Sequence, residues 1–150
     1  MPTYSFLDVH AALTGPGGSV SLSQGEGVAA EGITVEPMED KNVMTPGADG
    51  GLMHSLIASR AATVTIRLLK TNPLNAVLQD MYNYQTQSSL THGKNEITIR
   101  DVIRGDDTSI TEAAFMGKPA NAYGREGNVL EWKFGGHCDT MLGVGAPEIL

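Results

Sequence analysis

The sequence has few of the residues that stabilise small secreted domains or that bind nucleic acid. It contains one cysteine, Cys138, in 150 residues. An internal disulfide is therefore excluded, and we expect packing alone to stabilise the fold in a reducing compartment. The 10 lysine and arginine residues stand against 17 acidic ones, and they form no cluster. Proteins that bind DNA or RNA specifically concentrate positive charge, so specific nucleic-acid binding is not expected.

Long apolar runs and aromatic residues are also scarce. No stretch approaches the ~20 apolar residues of a membrane span, and no basic segment followed by an apolar run opens the chain. We therefore expect a soluble protein without a Sec-type signal. Aromatic residues make up 5%, whereas there are 18 glycines and 7 prolines. This composition favours short strands and turns, and the length favours one domain, residues 1–150, with one core.

The clearest pattern is a strand, a helix and a strand between Arg60 and Arg104. Residues 62–68 alternate apolar and polar, which predicts a strand with one buried face. Asn72 and Pro73 then provide a helix start, and residues 96–100 alternate again. An apolar stripe at helical spacing defines the helix: Leu74, Val77, Leu78, Met81 and Tyr84. We expect this single helix to lie across a β-sheet structure.

The rest of the chain predicts strands and turns. A hairpin turning at residues 15–18 joins strands near 5–13 and 20–22, and further strands are expected at 32–36, 109–117 and 128–134. Strict alternation in 109–117 puts apolar residues on both faces of that strand. We expect the helix to cover one face, and either the opposite sheet or another subunit to cover the other. One face carries Ile110, Ala114 and Met116, and the other carries Ala113 and Phe115.

Two segments are expected to contact other protein chains. Residues 39–51 show no sustained period and contain Pro-Gly and Asp-Gly-Gly, and structureless stretches of this length are usually functional or disordered. An extended tail is expected at about 137–150. Its residues 141–147 are apolar but rich in Gly and Pro, so we expect the tail from Met141 to pack on a neighbour. The candidate subunit-interface residues are Glu39, Asp40, Lys41, Asn42, Met44, Asp49, Met141, Leu142 and Val144.

No group of residues predicts catalysis or metal binding. His137, Cys138 and Asp139 form the best candidate, but neighbours in an extended chain point to opposite faces. The four histidines have no metal-ligand spacing, and the glycine-rich stretches lack the Lys-Ser/Thr of a phosphate loop. We therefore expect no enzyme activity, no cofactor and no metal site.

Four stretches carry a family resemblance: residues 4–9 (YSFLDV), 65–75 (TIRLLKTNPLN), 118–120 (KPA) and 131–132 (EW). In these the chain resembles the tail tube proteins of contractile-tailed bacteriophages. The resemblance implies a mainly β fold: two packed antiparallel β-sheets, as a β-sandwich or partial barrel, with one flanking α-helix. This fold is similar to that of the haemolysin-coregulated protein of type VI secretion. It also implies rings of six copies, with inner sheets joined into a β-barrel around a channel.

The implied function is structural. Stacked rings form the inner tube of a contractile tail in the virion, assembled in the host cytoplasm, and DNA passes through without specific binding. The implied partners are further copies of the chain, the tail sheath protein, the tape measure protein inside the channel, and the baseplate and tail terminator proteins. Six copies of charge −7 give −42 per ring, which suits an acidic channel.

Three other functions stay open from the sequence. A type VI secretion-like tube protein would have the same fold. A β-sandwich that binds a ligand or glycan would stack it on Trp132 and Tyr123, although Trp132 shares its face with Leu130 and Phe134 and so reads as core. A hydrolase would use Cys138 as its nucleophile.

Overall fold

The computed structural model describes residues 9–21, 28–102 and 104–143, where the chain forms nine strands and one helix. The predicted strand residues 5–8 lie outside the described residues. The elements are β1 (Val9–Gly15), β2 (Gly18–Ser21), β3 (Val28–Pro37), β4 (Asn42–Pro46), β5 (Leu52–Leu56), β6 (Ala61–Leu69), α1 (Leu74–Gln85), β7 (Asn95–Asp101), β8 (Asp106–Gly117) and β9 (Val129–Met141).

The strands form two antiparallel sheets of unequal size. Seven strands make one sheet in the order β2-β1-β7-β8-β9-β6-β3, and β4 pairs with β5 in a separate two-stranded sheet. Within the described residues the large sheet is open, with β2 and β3 at its edges. A mainly β fold with two antiparallel sheets and one helix is confirmed.

The core begins with the alternation in β6. Val64, Ile66 and Leu68 are fully buried and lie on the same face of the sheet as the apolar side chains of the neighbouring strand β9. Ile66 pairs with Trp132 and Leu68 with Leu130. The predicted one-sided burial of this strand is confirmed.

Helix α1 has the predicted position. The Asn72 side-chain oxygen accepts a hydrogen bond from the backbone N–H of Leu74 at 2.9 Å, so the asparagine opens the helix as expected. Leu78 and Met81 are buried in the core. This places the helix against one face of the large sheet.

The buried stripe of the helix differs from the predicted one. Val77 and Tyr84 are exposed. Tyr82 instead meets the ring of Phe115 edge-on, with 5.5 Å between ring centroids, and Gln85 is buried. The buried face of α1 is therefore rotated about the helix axis from the predicted face. The spacing of apolar residues could not show this, because the buried face includes the polar Gln85.

Gln85 is buried because it joins three parts of the fold. Its amide nitrogen donates to the Asn95 side-chain oxygen at 2.8 Å and to the Pro16 carbonyl at 2.8 Å. The Asn95 amide nitrogen donates back to Gln85 at 2.6 Å. The end of α1, the start of β7 and the β1–β2 turn are therefore held together by satisfied polar groups, which a core requires.

Strand β8 does not alternate strictly, and the predicted division of its apolar residues between two faces is wrong. Cover of its second face by another subunit stays a prediction. Its register against β9 shifts between Thr111 and Ala114, and Glu112 has a φ of 53°. This bulge places Ile110, Ala113 and Phe115 together on the core side, whereas Met116 is exposed. A bulge bends a strand and changes the phase of its side chains.

The bend lets the large sheet curve around its own core. Leu13 of β1 and Val64 of β6 are four strands apart, yet both are fully buried in one cluster. The buried cluster contains residues of five neighbouring strands, β1, β7, β8, β9 and β6, and of α1. One face of the large sheet and α1 therefore share a single core.

Strand β9 is longer than predicted. It continues through Gly135 and Gly136 to Met141, pairing with β6 as far as His137 and with β8 as far as Met141. The predicted strand end at Phe134 is wrong, and the tail's first residues, 137–141, are strand. The pair of glycines allows this course, because β8 passes close to Gly136.

Gly136 packs against the bend of β8, so alanine there should destabilise the fold. Its Cβ would lie 2.8 Å from Ile110 Cγ2 and 2.9 Å from the Thr111 carbonyl oxygen. We expect urea denaturation of Gly136→Ala to show a loss of about 1–3 kcal/mol. Gly117→Ala is the control, because its Cβ meets nothing within 4 Å. Equal stability of the two variants would contradict the packed bend.

Candidate subunit interface

Strands β4 and β5 form a hairpin outside the core, which we call the arm (residues 42–56). Pairing runs from Asn42 opposite Leu56 to Pro46 opposite Leu52. Every residue of the arm is exposed except the half-buried Ser55. Residues 39–51 are therefore not an irregular loop, as the sequence predicted, but the base, first strand and turn of this hairpin.

The turn of the arm is closed by local hydrogen bonds. The Gly51 N–H donates to the Asp49 carboxylate at 3.0 Å, and the Gly50 N–H donates to the Gly47 carbonyl at 3.2 Å. Gly50 has a φ of 89°, which favours glycine. The turn residues between two five-residue segments are a hairpin signal that the sequence interpretation treated as loop punctuation.

The base of the arm is attached to the large sheet by backbone hydrogen bonds. The Ile57 N–H donates to the Lys41 carbonyl at 2.8 Å, which continues the hairpin pairing beyond Leu56. The Met38 N–H donates to the Ala61 carbonyl at 3.0 Å, next to the pairing of β3 with β6. The arm thus extends from the end of the sheet at which β3 ends and β6 begins.

Both faces of the arm carry apolar side chains. We name the faces after Leu52 and Met53, adjacent residues that point to opposite sides. The Leu52 face holds Met44, Pro46, Leu52 and Leu56 together with a hydrogen-bonded Asn42–His54 pair. The Met53 face holds Val43, Thr45, Met53 and Ser55. An isolated two-stranded hairpin is marginally stable in water, and contiguous exposed apolar surface marks an interaction site.

A cleft of about 700 Å³ lies beside the base of the arm, and we call it the base cleft. The ends of β3 and β9 and the start of β6 form its walls. Its apolar and neutral lining includes Val35, Pro37, Ala62, Cys138, Thr140 and Leu142. Its charged lining residues are Glu39, Lys41, Arg60 and Asp139.

The charged residues of the cleft are partly paired. An Arg60 guanidinium nitrogen lies 2.9 Å from an Asp139 carboxylate oxygen, and the Cys138 N–H donates to the Arg60 carbonyl at 2.9 Å. The Lys41 ammonium donates to the Ala58 carbonyl at 3.4 Å. The cleft is thus mainly apolar. Its two acidic and two basic lining residues give it no net charge.

The described residues of the predicted interface fall into four places. Glu39, Asp40 and Lys41 form the base of the arm, Asn42 and Met44 lie on β4, and Asp49 lies in the turn. Met141 ends β9 and Leu142 follows it, and both are exposed. Val144 lies outside the described residues. The structure brings Glu39, Lys41 and Leu142 together around the base cleft, but Asp49 is at the far end of the arm.

Sequence reasoning missed three residues of this surface: Leu52, Met53 and Leu56. They are exposed by 59%, 58% and 86%. The sequence interpretation predicted no strand in residues 52–56. The signal in the sequence was the glycine-rich turn before these residues, because Leu52-Met53-His54-Ser55-Leu56 does not alternate apolar and polar residues.

The candidate catalytic cluster is divided between two faces of β9. His137 Nε2 lies 3.4 Å from the Glu112 carboxylate, whereas the Cys138 sulfur lies 3.3 Å from the Thr140 hydroxyl. Across the described ranges, no three His, Cys, Asp or Glu residues are grouped so that they would hold a metal.

Among the residues that the structure describes, no helix is long and apolar enough to span a membrane.

The aromatic pair of the ligand-binding alternative is not arranged for stacking. Trp132 is buried, and its ring N–H donates to the Asn75 side-chain oxygen at 3.1 Å. Tyr123 is exposed, and the Lys70 ammonium lies over its ring at 4.2 Å from the centroid. Trp132 is a core residue and offers no face to a sugar ring.

Comparison with known proteins identifies the family. The sequence matches the profile of the bacteriophage PhiTE tail tube protein over residues 1–143. The chain belongs to this family of phage tail tube proteins. Its role is therefore structural, as a component of a phage tail tube. No curated protein matches the chain significantly.

Two solved structures are similar to this tail tube protein. One is a chain of the tube-terminating cap of the anti-feeding prophage, at 13% identity and a TM-score of 0.48. The other is a chain of the sheath–tube complex, in the extended state, of an extracellular contractile injection system, at 13% identity and a TM-score of 0.47. Each alignment covers 89% of this chain and 88% of the other.

The arm should be weakly ordered in a single copy, since most of its apolar surface faces water. We expect the amides of β4 and β5 to exchange with deuterium far faster than those of β6, with an opening free energy of about 1 kcal/mol or less. Hydrogen exchange with mass spectrometry on dilute protein measures this. Equal protection of β4 and β6 would show that the arm is stable without a partner.

Proposed function

We propose that this tail tube protein closes into rings of six copies that stack into the inner tube of a contractile tail, through which DNA enters the host. The observation that supports this most directly is the arm. It places six large apolar side chains in water on the arm or at its base: Met38, Val43, Met44, Leu52, Met53 and Leu56. A stable monomer rarely exposes so much contiguous apolar surface, whereas an assembly buries it.

Within the part of the chain that the structure describes, the large sheet has open edges, which also favour assembly. β3 pairs on one side with β6, and β2 pairs on one side with β1. Unpaired edge strands expose backbone groups that pair readily with another chain. In a closed ring, each copy supplies one edge to each neighbour, so ring closure removes the exposed edges.

The charge of the chain suits a channel for DNA. Six copies of charge −7 give −42 per ring, and a negative surface repels phosphate, so DNA slides without sticking. In this proposal the partners are the sheath protein around the tube, the tape measure protein inside it, and the baseplate and tail terminator proteins at its ends. The protein is a non-catalytic part of the virion that assembles in the host cytoplasm.

The alternative functions receive less support. A type VI secretion-like tube shares the fold, but the family match is to a phage protein. The ligand-binding module loses Trp132 as a stacking residue, because the ring is buried. The hydrolase loses its histidine partner for Cys138, because the two side chains lie on opposite faces of β9.

Removing the apolar side chains of the Leu52 face should abolish assembly and leave the fold intact. We expect the triple variant Met44→Ser, Leu52→Ser, Leu56→Ser to unfold in urea within about 1 kcal/mol of the parent protein, because exposed side chains contribute little to folding. In sedimentation velocity, its large assemblies should be replaced by single copies.

A matched control removes three exposed side chains outside the arm, in the triple variant Leu90→Ser, Val102→Ser, Tyr123→Ser. These side chains are 83%, 62% and 85% exposed. The control should sediment like the parent protein. Intact assemblies of the arm variant, or equal loss in both variants, would contradict a specific role for the arm.

A further inference from the structure

We propose that the base cleft of one copy receives the arm of a second copy, with the Leu52 face against the cleft wall. This inference rests on the proposed tube function and names the surface that the arm contacts. It makes the interface head-to-tail, because the arm and the cleft are different parts of the chain. Head-to-tail contacts propagate from copy to copy, either around a ring or along a stack.

The arm is directed away from the cleft of its own chain. Glu39, Lys41 and Arg60 line the cleft and flank the base of the arm. Leu52 lies at the opposite end of β5 from Leu56, about 14 Å further out for four strand residues. The paired strands of the arm would have to fold back for Leu52 to enter its own cleft. A second copy supplies the arm without that distortion.

The cleft and the Leu52 face match in chemistry. The cleft wall is apolar, and its volume of about 700 Å³ lies within the range of roughly 300–1,000 Å³ typical of clefts that bind ligands. It therefore has room for several aliphatic side chains. Leu52, Met44 and Pro46 lie side by side near the tip of the arm and present an aliphatic surface of this kind.

Charge favours the same arrangement. The arm carries one carboxylate, Asp49, and no lysine or arginine. Of the charged residues that line the cleft, Arg60 is paired with Asp139, and the Lys41 ammonium donates to a neutral backbone carbonyl. The remaining charged residue, Glu39, would repel Asp49. Charge therefore favours the register that places Asp49 of the incoming arm beside Lys41 of the receiving copy and away from Glu39.

The single cysteine of the sequence makes this contact testable. Cys138 is free, half-buried and part of the cleft lining. In assembled Leu52→Cys protein, a short bis-maleimide should link the new thiol to Cys138 of another copy and give a ladder of covalent oligomers on denaturing gels. Met53→Cys is the matched control, since Leu52 and Met53 are 59% and 58% exposed but point to opposite faces.

We expect Leu52→Cys to crosslink at least about tenfold faster than Met53→Cys, because a docked thiol reacts at high effective concentration. The double variant Leu52→Cys, Cys138→Ser should give no ladder of covalent oligomers. Absence of the ladder in assemblies that form normally would overturn the cleft assignment and leave the tube proposal standing. Failure of the parent protein to assemble would instead contradict the proposed function.

Three other outcomes would also overturn the inference. Equal rates for the two variants would indicate random collision. A link within one chain, seen as a monomer of altered mobility, would show that the arm enters its own cleft. Faster alkylation of Cys138 in monomers after removal of residues 144–150 would identify that tail as the occupant of the cleft.

Discussion

The bend of β8 at Glu112 is the constraint on which the rest of the fold depends. Strict alternation would turn Glu112 towards the core with Ile110. The left-handed backbone at Glu112, with φ 53°, instead leaves its side chain 74% exposed and brings Ala113 and Phe115 to the core side. Such a backbone is costly outside glycine, so the surrounding pairing has to hold it. Gly136 of β9 makes room for the bend, and the large sheet curves around one core as a result.

This arrangement separates folding from assembly. The core is formed by the large sheet and α1, with buried residues such as Val64, Leu78 and Trp132, and it is closed without any contribution from the arm. The apolar residues of the arm are therefore available for contacts between copies. An exposed hairpin has little stability of its own, so in the proposed assembly the arm becomes ordered as copies join.

Elements whose apolar residues recur at a regular spacing could be predicted from the sequence. Features that depend on pairing with distant residues, and strands too short to show a spacing, could not. The alternation in β6 and the Asn72-Pro73 helix start identified both elements closely. The bend in β8 was missed because it follows from register with β9. The arm was missed because its strands have five residues each, too few for a clear period. The base cleft was beyond sequence reasoning, because it joins the ends of β3 and β9 with the start of β6.

The central claim is that copies of this tail tube protein associate into a tube without other proteins. Electron microscopy of the purified protein at high concentration, in negative stain, tests it most directly. The account predicts rings or long hollow tubes with a central channel. Particles that remain single copies at every concentration would contradict it, because the arm and the open strand edges would then remain exposed in the working protein.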